Sequence, residues 1–330
     1  MSDLRRIAFL GIGNMGTPMA GHLVHKGFDV AVFDLRADVV AAFVRDRGGR
    51  AATSPADAAR GAQAVITMLP DGKAVRTAVL GPMGDAGAQG GIGLQPNNDG
   101  RSSPMAPAVQ GLAPGGVVID MSTSDPADTQ ALGADLAARG FACVDAPVMG
   151  GVLFARDATL DIMAGGDPVQ VERVGPVLAA LGRKVFVCGP LGSGHALKAL
   201  LNYVNACALA NMLETLVAGA KFGIDTGVAV EAMQAMCTGR NHPLDKKLIP
   251  QVLTRGFGTG MAMGLIAKDV RIAIETARAA GAATPLGDCV AGLWEAAAKE
   301  LGGRLDQTEI VRYWESRAGV EIGETKDSRS

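Results

Sequence analysis

An excess of charge of either sign is missing from this chain. Its 330 residues carry 31 lysines and arginines against 33 aspartates and glutamates, a formal net charge of −2. That leaves no basic field to hold nucleic acid and no strong acidic bias either. Cysteine is sparse: Cys143, Cys188, Cys207, Cys237 and Cys289 are scattered without a CxxC, and four of the five lie in apolar runs. They read as buried, reduced thiols of a reducing compartment. Such thiols are poor nucleophiles, and no GxSxG elbow is present, so covalent catalysis has no candidate. His22, His25, His195 and His242 show neither HExxH nor Cys/His ligand spacing, so no metal site is expected. No apolar run approaches the roughly 18 residues of a membrane span. The apolar stretch in "MSDLRRIAFLGIG" is broken by Gly and Asn too early for a secretory signal. These absences predict a cytoplasmic protein with no nucleic-acid or membrane partner.

What the chain does have is a globular composition, 48% hydrophobic and 19% charged, and length enough for two domains. Up to Pro190, short β-rich runs alternate with helical segments: "RIAFLGIG", "DVAVFD", "AVITMLP", "GVVIDMST", "ACVDAPVMGG", "LDIMAGG" and "KVFVCGP". Nearly continuous apolar strands separated by helices predict an α/β domain over residues 1–191, a doubly wound, mostly parallel sheet covered on both faces. Beyond Leu191, Ala, Leu and Met at helical spacing predict an all-α C-terminal domain over 192–316, joined to the first by a long helix from Gly192 to Ala220. Residues 317–330 have little apolar content and read as a flexible tail. The Gly- and Pro-rich stretch Gly81 to Gly116 fits neither domain. It runs from a helix into the next strand, so it is expected as an insertion at the N-terminal edge of the sheet, away from the edge where ligands bind.

"IAFLGIGNMGTPMAGHLVHKG" sets Gly11, Gly13 and Gly16 between a strand and a helix, with Ile12, Asn14 and Met15 completing the loop. The first glycine permits a tight turn, the second lets a pyrophosphate approach the backbone, and the third lets helix pack on strand. Asp34 ends the second strand 18 residues beyond Gly16, close to the spacing for a carboxylate that bonds an adenosine ribose. Together these parts make a Rossmann NAD(P)-binding fingerprint. A carboxylate at Asp34 repels a 2′-phosphate and favours NAD(H), whereas Arg36 keeps NADP(H) open, because a guanidinium can pair with that phosphate.

In "GSGHALKALLNYVNACALANMLETLVAGA" the lone early cation is Lys198. At 100° per residue, His195, Lys198, Asn202 and Asn205 share an arc of about 80°. Two readings fit that arc: a solvated face along which Lys198 snorkels, or one wall of a polar cleft, since solvated faces usually mix charges of both signs. In the second reading burial lowers the lysine pKa and fits it to exchange a proton with a carbonyl or hydroxyl oxygen.

The ordered motifs "GIGNMGTPMAGHL", "MLPDG", "VIDMSTSDP", "DAPVMGG", "GSGHALKALLN" and "AKDVRIA" resemble those of the β-hydroxyacid dehydrogenases. The resemblance implies hydride transfer between a nicotinamide cofactor and a short 3-hydroxy acid or semialdehyde, of the 3-hydroxyisobutyrate or tartronate semialdehyde kind. It implies a helical domain that pairs between subunits in a homodimer or homotetramer. By motif match it makes Lys198 the catalytic lysine and Asn202 its companion. Ser122 and the backbone of Gly150 and Gly151 become the holders of a small anionic substrate, and Leu69, Pro70, Thr123 and Lys268 line the cofactor. Read alone, Lys268 is equally a surface lysine paired to Asp269 or Glu275. The loop "CTGRNHPLDKK" reaches toward the substrate pocket in the family, so Arg240 or His242 is a candidate for recognising the substrate's far end; as a plain helix connection it is solvated polar chain.

The chain also departs from the family. Met149 stands where Ser is frequent, Ala158 where Gly is common, Leu201 replaces the first of two adjacent Asn residues, and His22 replaces an Asn. Met149 removes a hydroxyl that would bond the substrate, so the resemblance names no particular substrate. Two other readings stand beside this one. An imine reductase shares the architecture, but such enzymes usually lack the lysine. A non-catalytic dinucleotide-binding sensor or scaffold has no need to keep Lys198 and Asn202 together.

Overall fold

The structure is a computed structural model that describes residues 4–82, 94–96, 102–239 and 242–323. The chain forms two compact units, Met1–Tyr203 and Val204–Ser330. The strands are β1 (Arg6–Leu10), β2 (Asp29–Phe33), β3 (Arg50–Ala51), β4 (Ala64–Thr67), β5 (Leu94–Pro96), β6 (Ser102–Pro104), β7 (Val117–Asp120), β8 (Ala142–Asp145), β9 (Val148–Met149), β10 (Leu160–Gly166) and β11 (Gly182–Gly189). The helices of the first unit are α1 (Gly16–His25), α2 (Ala37–Arg47), α3 (Pro55–Ala58), α4 (Gly72–Leu80), α5 (Pro126–Ala137), α6 (Gly151–Arg156) and α7 (Pro168–Ala179), followed by α8 (Ser193–Phe222), which crosses the boundary between the units.

The main sheet runs β11-β10-β8-β7-β4-β1-β2-β3, with β9 added beside β10. Neighbours from β3 to β8 are parallel. β10 turns antiparallel to β8 at Gly165↔Asp145, and β11 returns parallel to β10. Alternation along β1 explains the two cores. Ile7 and Phe9 pack with Val32, Ile66, Ile119 and Ile162 under α1, α2 and α7, whereas Ala8 and Leu10 pack with Phe33, Val65 and Val118 under α4 and α5. Strands buried on both sides are why their sequences read as unbroken apolar runs. Among the described helices of the first unit, three start at aspartate caps: Asp71 accepts from the Ala74 amide at 2.8 Å, Asp125 from Ala127 at 2.8 Å and Asp167 from Val169 at 3.0 Å.

The insertion at 81–116 is more than a loop. β5 and β6 pair antiparallel, Leu94 opposite Pro104, and a 3₁₀ turn at Ala108–Gln110 leads toward β7. Such short, Pro-containing strands carry no alternating apolar signal, which is why the sequence did not announce them. Residues 83–93 and 97–101 lie outside the described residues.

The second unit is helical: after α8 come α9 (Thr226–Cys237), α10 (Met263–Ala279), α11 (Pro285–Ala297) and α12 (Val311–Ala318), with wider π-type turns at Leu244–Val252 and Ala298–Gly302. Glu214 on α8 holds the start of α11, accepting from Leu286 N at 3.0 Å and Gly287 N at 2.8 Å. The two compact units meet within α8, after Tyr203, and the first turn of α8 is bonded to the sheet of the first unit. Within the stretch expected as a tail from residue 317, residues up to Ile322 make contacts with the rest of the unit. Arg317 sits in α12 and pairs with Glu300 at 2.7 Å, and Glu315 accepts from Ile322 N at 2.7 Å while pairing with Arg255. Residues 324–330 lie outside the described residues. No described helix is long and apolar enough to cross a membrane.

Candidate active site

The C-terminal ends of the parallel strands carry the candidate residues of the first unit, the edge at which open α/β sheets bind ligands. After β1 the chain turns at Gly11, whose φ is 93° and whose amide donates to Phe33 O at 2.8 Å. A Cβ on Gly16 would lie 1.9 Å from the Gly11 carbonyl, so helix α1 can approach β1 this closely only without a side chain. Gly13 faces open space: nothing lies within 4 Å of where its Cβ would be. Ile12 is buried, Asn14 exposed and Met15 half-buried. Asp34, 13% exposed, accepts from Ile12 N at 3.1 Å and from Arg36 N at 3.0 Å, and it pairs with the Arg36 guanidinium at 3.3 Å. The acid at the end of β2 therefore lies against the glycine loop, as a ribose-binding carboxylate must. An open, glycine-lined helix N-terminus with an acid beside it fits a dinucleotide.

Around the ends of β4, β7 and β8 the structure reveals a buried polar network that the sequence reading missed. Asp120 accepts from Thr67 Oγ1 at 2.9 Å, Ser122 N at 3.0 Å and Ser124 Oγ at 2.9 Å. Asp145 accepts from Gly192 N and His195 N, both at 2.8 Å, and so caps the start of α8. A Cβ on Gly194 would fall 2.2 Å from Met163 O, which shows how tightly this first turn is seated on β10. The available signal was an acid closing each of two apolar strands, "VVID" and "ACVD", the pattern that did identify Asp34.

Ser122 is fully buried, and its Oγ accepts from Leu69 N at 3.0 Å; the neighbouring Thr123 is exposed. Leu69 is half-buried and Pro70 exposed at the end of β4. Gly150 and Gly151, with φ of 121° and 72°, form an exposed turn leading into α6. Met149 is half-buried in β9 opposite Asp161. Two departures from the family pattern acquire physical descriptions. Ala158 occupies the left-handed region at φ 53°, and the His22 ring hydrogen-bonds the Arg156 carbonyl at 2.8 Å, linking α1 to α6.

Lys198 lies one turn beyond His195 on α8. It is half-buried, burial pushes its pKa below the ordinary lysine value, and it has no ion-pair partner among the described residues. Asn202 and Asn205 are exposed further along the same helix. Lys268 and His242 belong to the second unit. Lys268 is exposed on α10 and pairs with Asp269 at 3.0 Å. His242 accepts from Leu244 N through Nδ1 at 3.2 Å. Arg240 lies outside the described residues.

These parts define a Rossmann-type, nicotinamide-dependent oxidoreductase. A family profile described as the NAD-binding domain of 6-phosphogluconate dehydrogenase matches residues 6–91 and 101–189, and one described as NAD-binding of NADP-dependent 3-hydroxyisobutyrate dehydrogenase matches 192–314. The 3-sulfolactaldehyde reductase of Escherichia coli K12 is 32% identical over 314 residues, 95% of this chain and 97% of that protein. The chain belongs to the β-hydroxyacid dehydrogenase family, NAD(P)-dependent enzymes acting on the CH–OH group of 3-hydroxy acids. Among solved structures, Mycobacterium tuberculosis 3-hydroxyisobutyrate dehydrogenase with L-serine is similar at TM-score 0.59 and 28% identity, covering 94% of this chain and 99% of that one. An imine reductase from Myxococcus stipitatus with NAD+ reaches TM-score 0.76 at 15% identity, over 94% of this chain and 99% of that one, a likeness of fold alone.

Proposed function

We propose that this enzyme interconverts a short 3-hydroxy acid and its semialdehyde with NAD(H) as preferred cofactor, Lys198 serving as general acid and base. The observation that carries the reading is the state of Lys198: a half-buried ammonium with a lowered pKa, free of ion pairs among the described residues, on a helix whose first turn is bonded to the sheet edge. Gly11, Gly13, Gly16 and Asp34 would hold the cofactor, with Ile12, Asn14, Met15, Leu69, Pro70, Thr123 and Lys268 lining it. When bound, the nicotinamide accepts or supplies the hydride at the substrate carbon. In the oxidative direction neutral Lys198 takes the hydroxyl proton; in the reductive direction its ammonium returns that proton to the carbonyl oxygen. Asn202, one turn on, orients the amine and the hydroxyl.

In this reading the substrate carboxylate is held by the amides of the Gly150–Gly151 turn and by Ser122. Because Ser122 Oγ already accepts from Leu69 N, its own proton is the one it has to offer. Met149 presents a thioether where a hydroxyl would bond the substrate, which favours a substituent that needs no hydrogen bond there. Arg240 and His242 are candidates for recognising the far end of the substrate. Exposed apolar side chains along α8, among them Leu200, Tyr203, Val204, Leu209 and Val217, support a homodimer or homotetramer that covers this helix. A lysine in this state also weighs against imine reduction.

A screen of 3-hydroxy acids and semialdehydes with NAD(H) and NADP(H), followed by nicotinamide absorbance, tests the reading. Turnover of at least one short 3-hydroxy acid with NAD+ is expected. Turnover of cyclic imines alone would overturn it.

A further inference from the structure

The His195 ring is buried to 1% exposure, although the reaction proposed above gives it no part. It faces a carboxylate on each side, with Asp120 Oδ2 on β7 3.8 Å from Nε2 and Asp145 Oδ2 on β8 3.7 Å from Nδ1. Those distances are too long for hydrogen bonds, and both carboxylates are already occupied by hydroxyls and backbone amides. The ring bonds elsewhere: Nε2 meets the Ser122 carbonyl at 3.1 Å and Nδ1 meets Thr129 Oγ1 on α5 at 2.8 Å. A carbonyl only accepts, so Nε2 carries a proton and donates it. One side chain thus joins the loop after β7, helix α5 and the first turn of α8. Placing a polar ring between two buried carboxylates gains little stability in itself, so what it supplies is geometry.

We propose that His195 is a positioning residue, a strut that keeps the Ser122 loop and the first turn of α8 in register so that Lys198 meets the substrate. This rests on the proposed reaction, and the test is built to separate the two. His195→Leu fills the space without either bond, and His195→Gln restores a donor for the Ser122 carbonyl. A misplacement of about 1 Å at a reacting group costs roughly a hundredfold in rate. His195→Leu is therefore expected to lower kcat by about that factor, with NADH affinity unchanged, and His195→Gln to recover most of the loss.

A second readout needs no turnover: the pH dependence of Lys198 labelling by trinitrobenzenesulfonate, measured by peptide mass spectrometry. In His195→Leu the midpoint moves toward the ordinary lysine range, because a loosened turn gives the amine more water. A purely structural loss would lower the melting temperature without that shift. If His195→Leu does not fold, Thr129→Val, which removes the Nδ1 partner together with the hydroxyl's local bond to Asp125 O at 3.1 Å and leaves the Ser122 contact in place, is expected to give a smaller kcat loss and a shift in the same direction. Folded variants with near-native kcat and an unmoved labelling midpoint would overturn the proposal. A shifted midpoint in a protein that turns over no 3-hydroxy acid would support the strut and remove the assigned reaction.

Discussion

Replacing Asp34 by Ala exposes how the first unit chooses its cofactor. The Asp34 carboxylate is only 13% exposed and is held by Ile12 N at 3.1 Å and by Arg36, through its amide at 3.0 Å and its guanidinium at 3.3 Å. Hydrogen bonds from a ribose to a charged group contribute about 1.5–3 kcal/mol, so losing them weakens NADH binding about 10- to 150-fold. The opposite holds for NADPH. A carboxylate about 5 Å from a unit of phosphate charge costs about 3 kcal/mol at an effective dielectric near 20. Much of that is screened here because Arg36 is 60% exposed and already pairs with the acid. Removing Asp34 lifts the repulsion and releases Arg36 to meet the phosphate, so NADPH binding tightens by about tenfold or more. Fluorescence titration of both reduced nucleotides measures this without a substrate. An unchanged ratio of affinities in Asp34→Ala, or a native protein that already prefers NADPH, would show that Asp34 does not select the cofactor.

Three further outcomes are expected. Ala158→Gly relieves a left-handed alanine at φ 53° and should raise stability by about 1 kcal/mol, read as a higher urea midpoint. Asp167→Ala removes the cap that accepts from Val169 and Gln170 amides at 3.0 and 3.3 Å and should cost about 1 kcal/mol in the same assay. Burial lowers the Lys198 pKa, so the neutral base is present at lower pH than for an ordinary lysine: kcat/KM for oxidation rises as pH climbs through that lowered value and then levels. Reduction, which needs the ammonium, falls over the same interval.

The parts of this molecule that were legible in its sequence are those whose signals are local. Apolar runs marked the seven principal strands, most of which are buried on both faces while β11 is largely exposed, and the Gly11–Gly16 loop with Asp34 was readable because a turn, a helix start and an acid sit at fixed spacing. The contacts of His195 were not readable. Its partners Ser122 and Thr129 lie 73 and 66 residues away, brought together by parallel strands that are neighbours only in space. The same holds for Asp145, which caps a helix 47 residues downstream. Ser122 was picked out by its motif, yet its depth beneath Leu69 follows from packing that no spacing encodes. Ala158 shows the reverse case: a glycine-type position was visible in the pattern, and the positive φ gives its physical reason.

In the proposed reaction Lys198 moves the proton. The most direct test is kcat of Lys198→Ala beside the native enzyme, on a 3-hydroxy acid that the native enzyme turns over, with NADH affinity measured on both. Loss of a general acid–base group lowers kcat by about 10²- to 10⁴-fold, and NADH affinity should stay the same. Equal turnover by the two proteins would contradict the account.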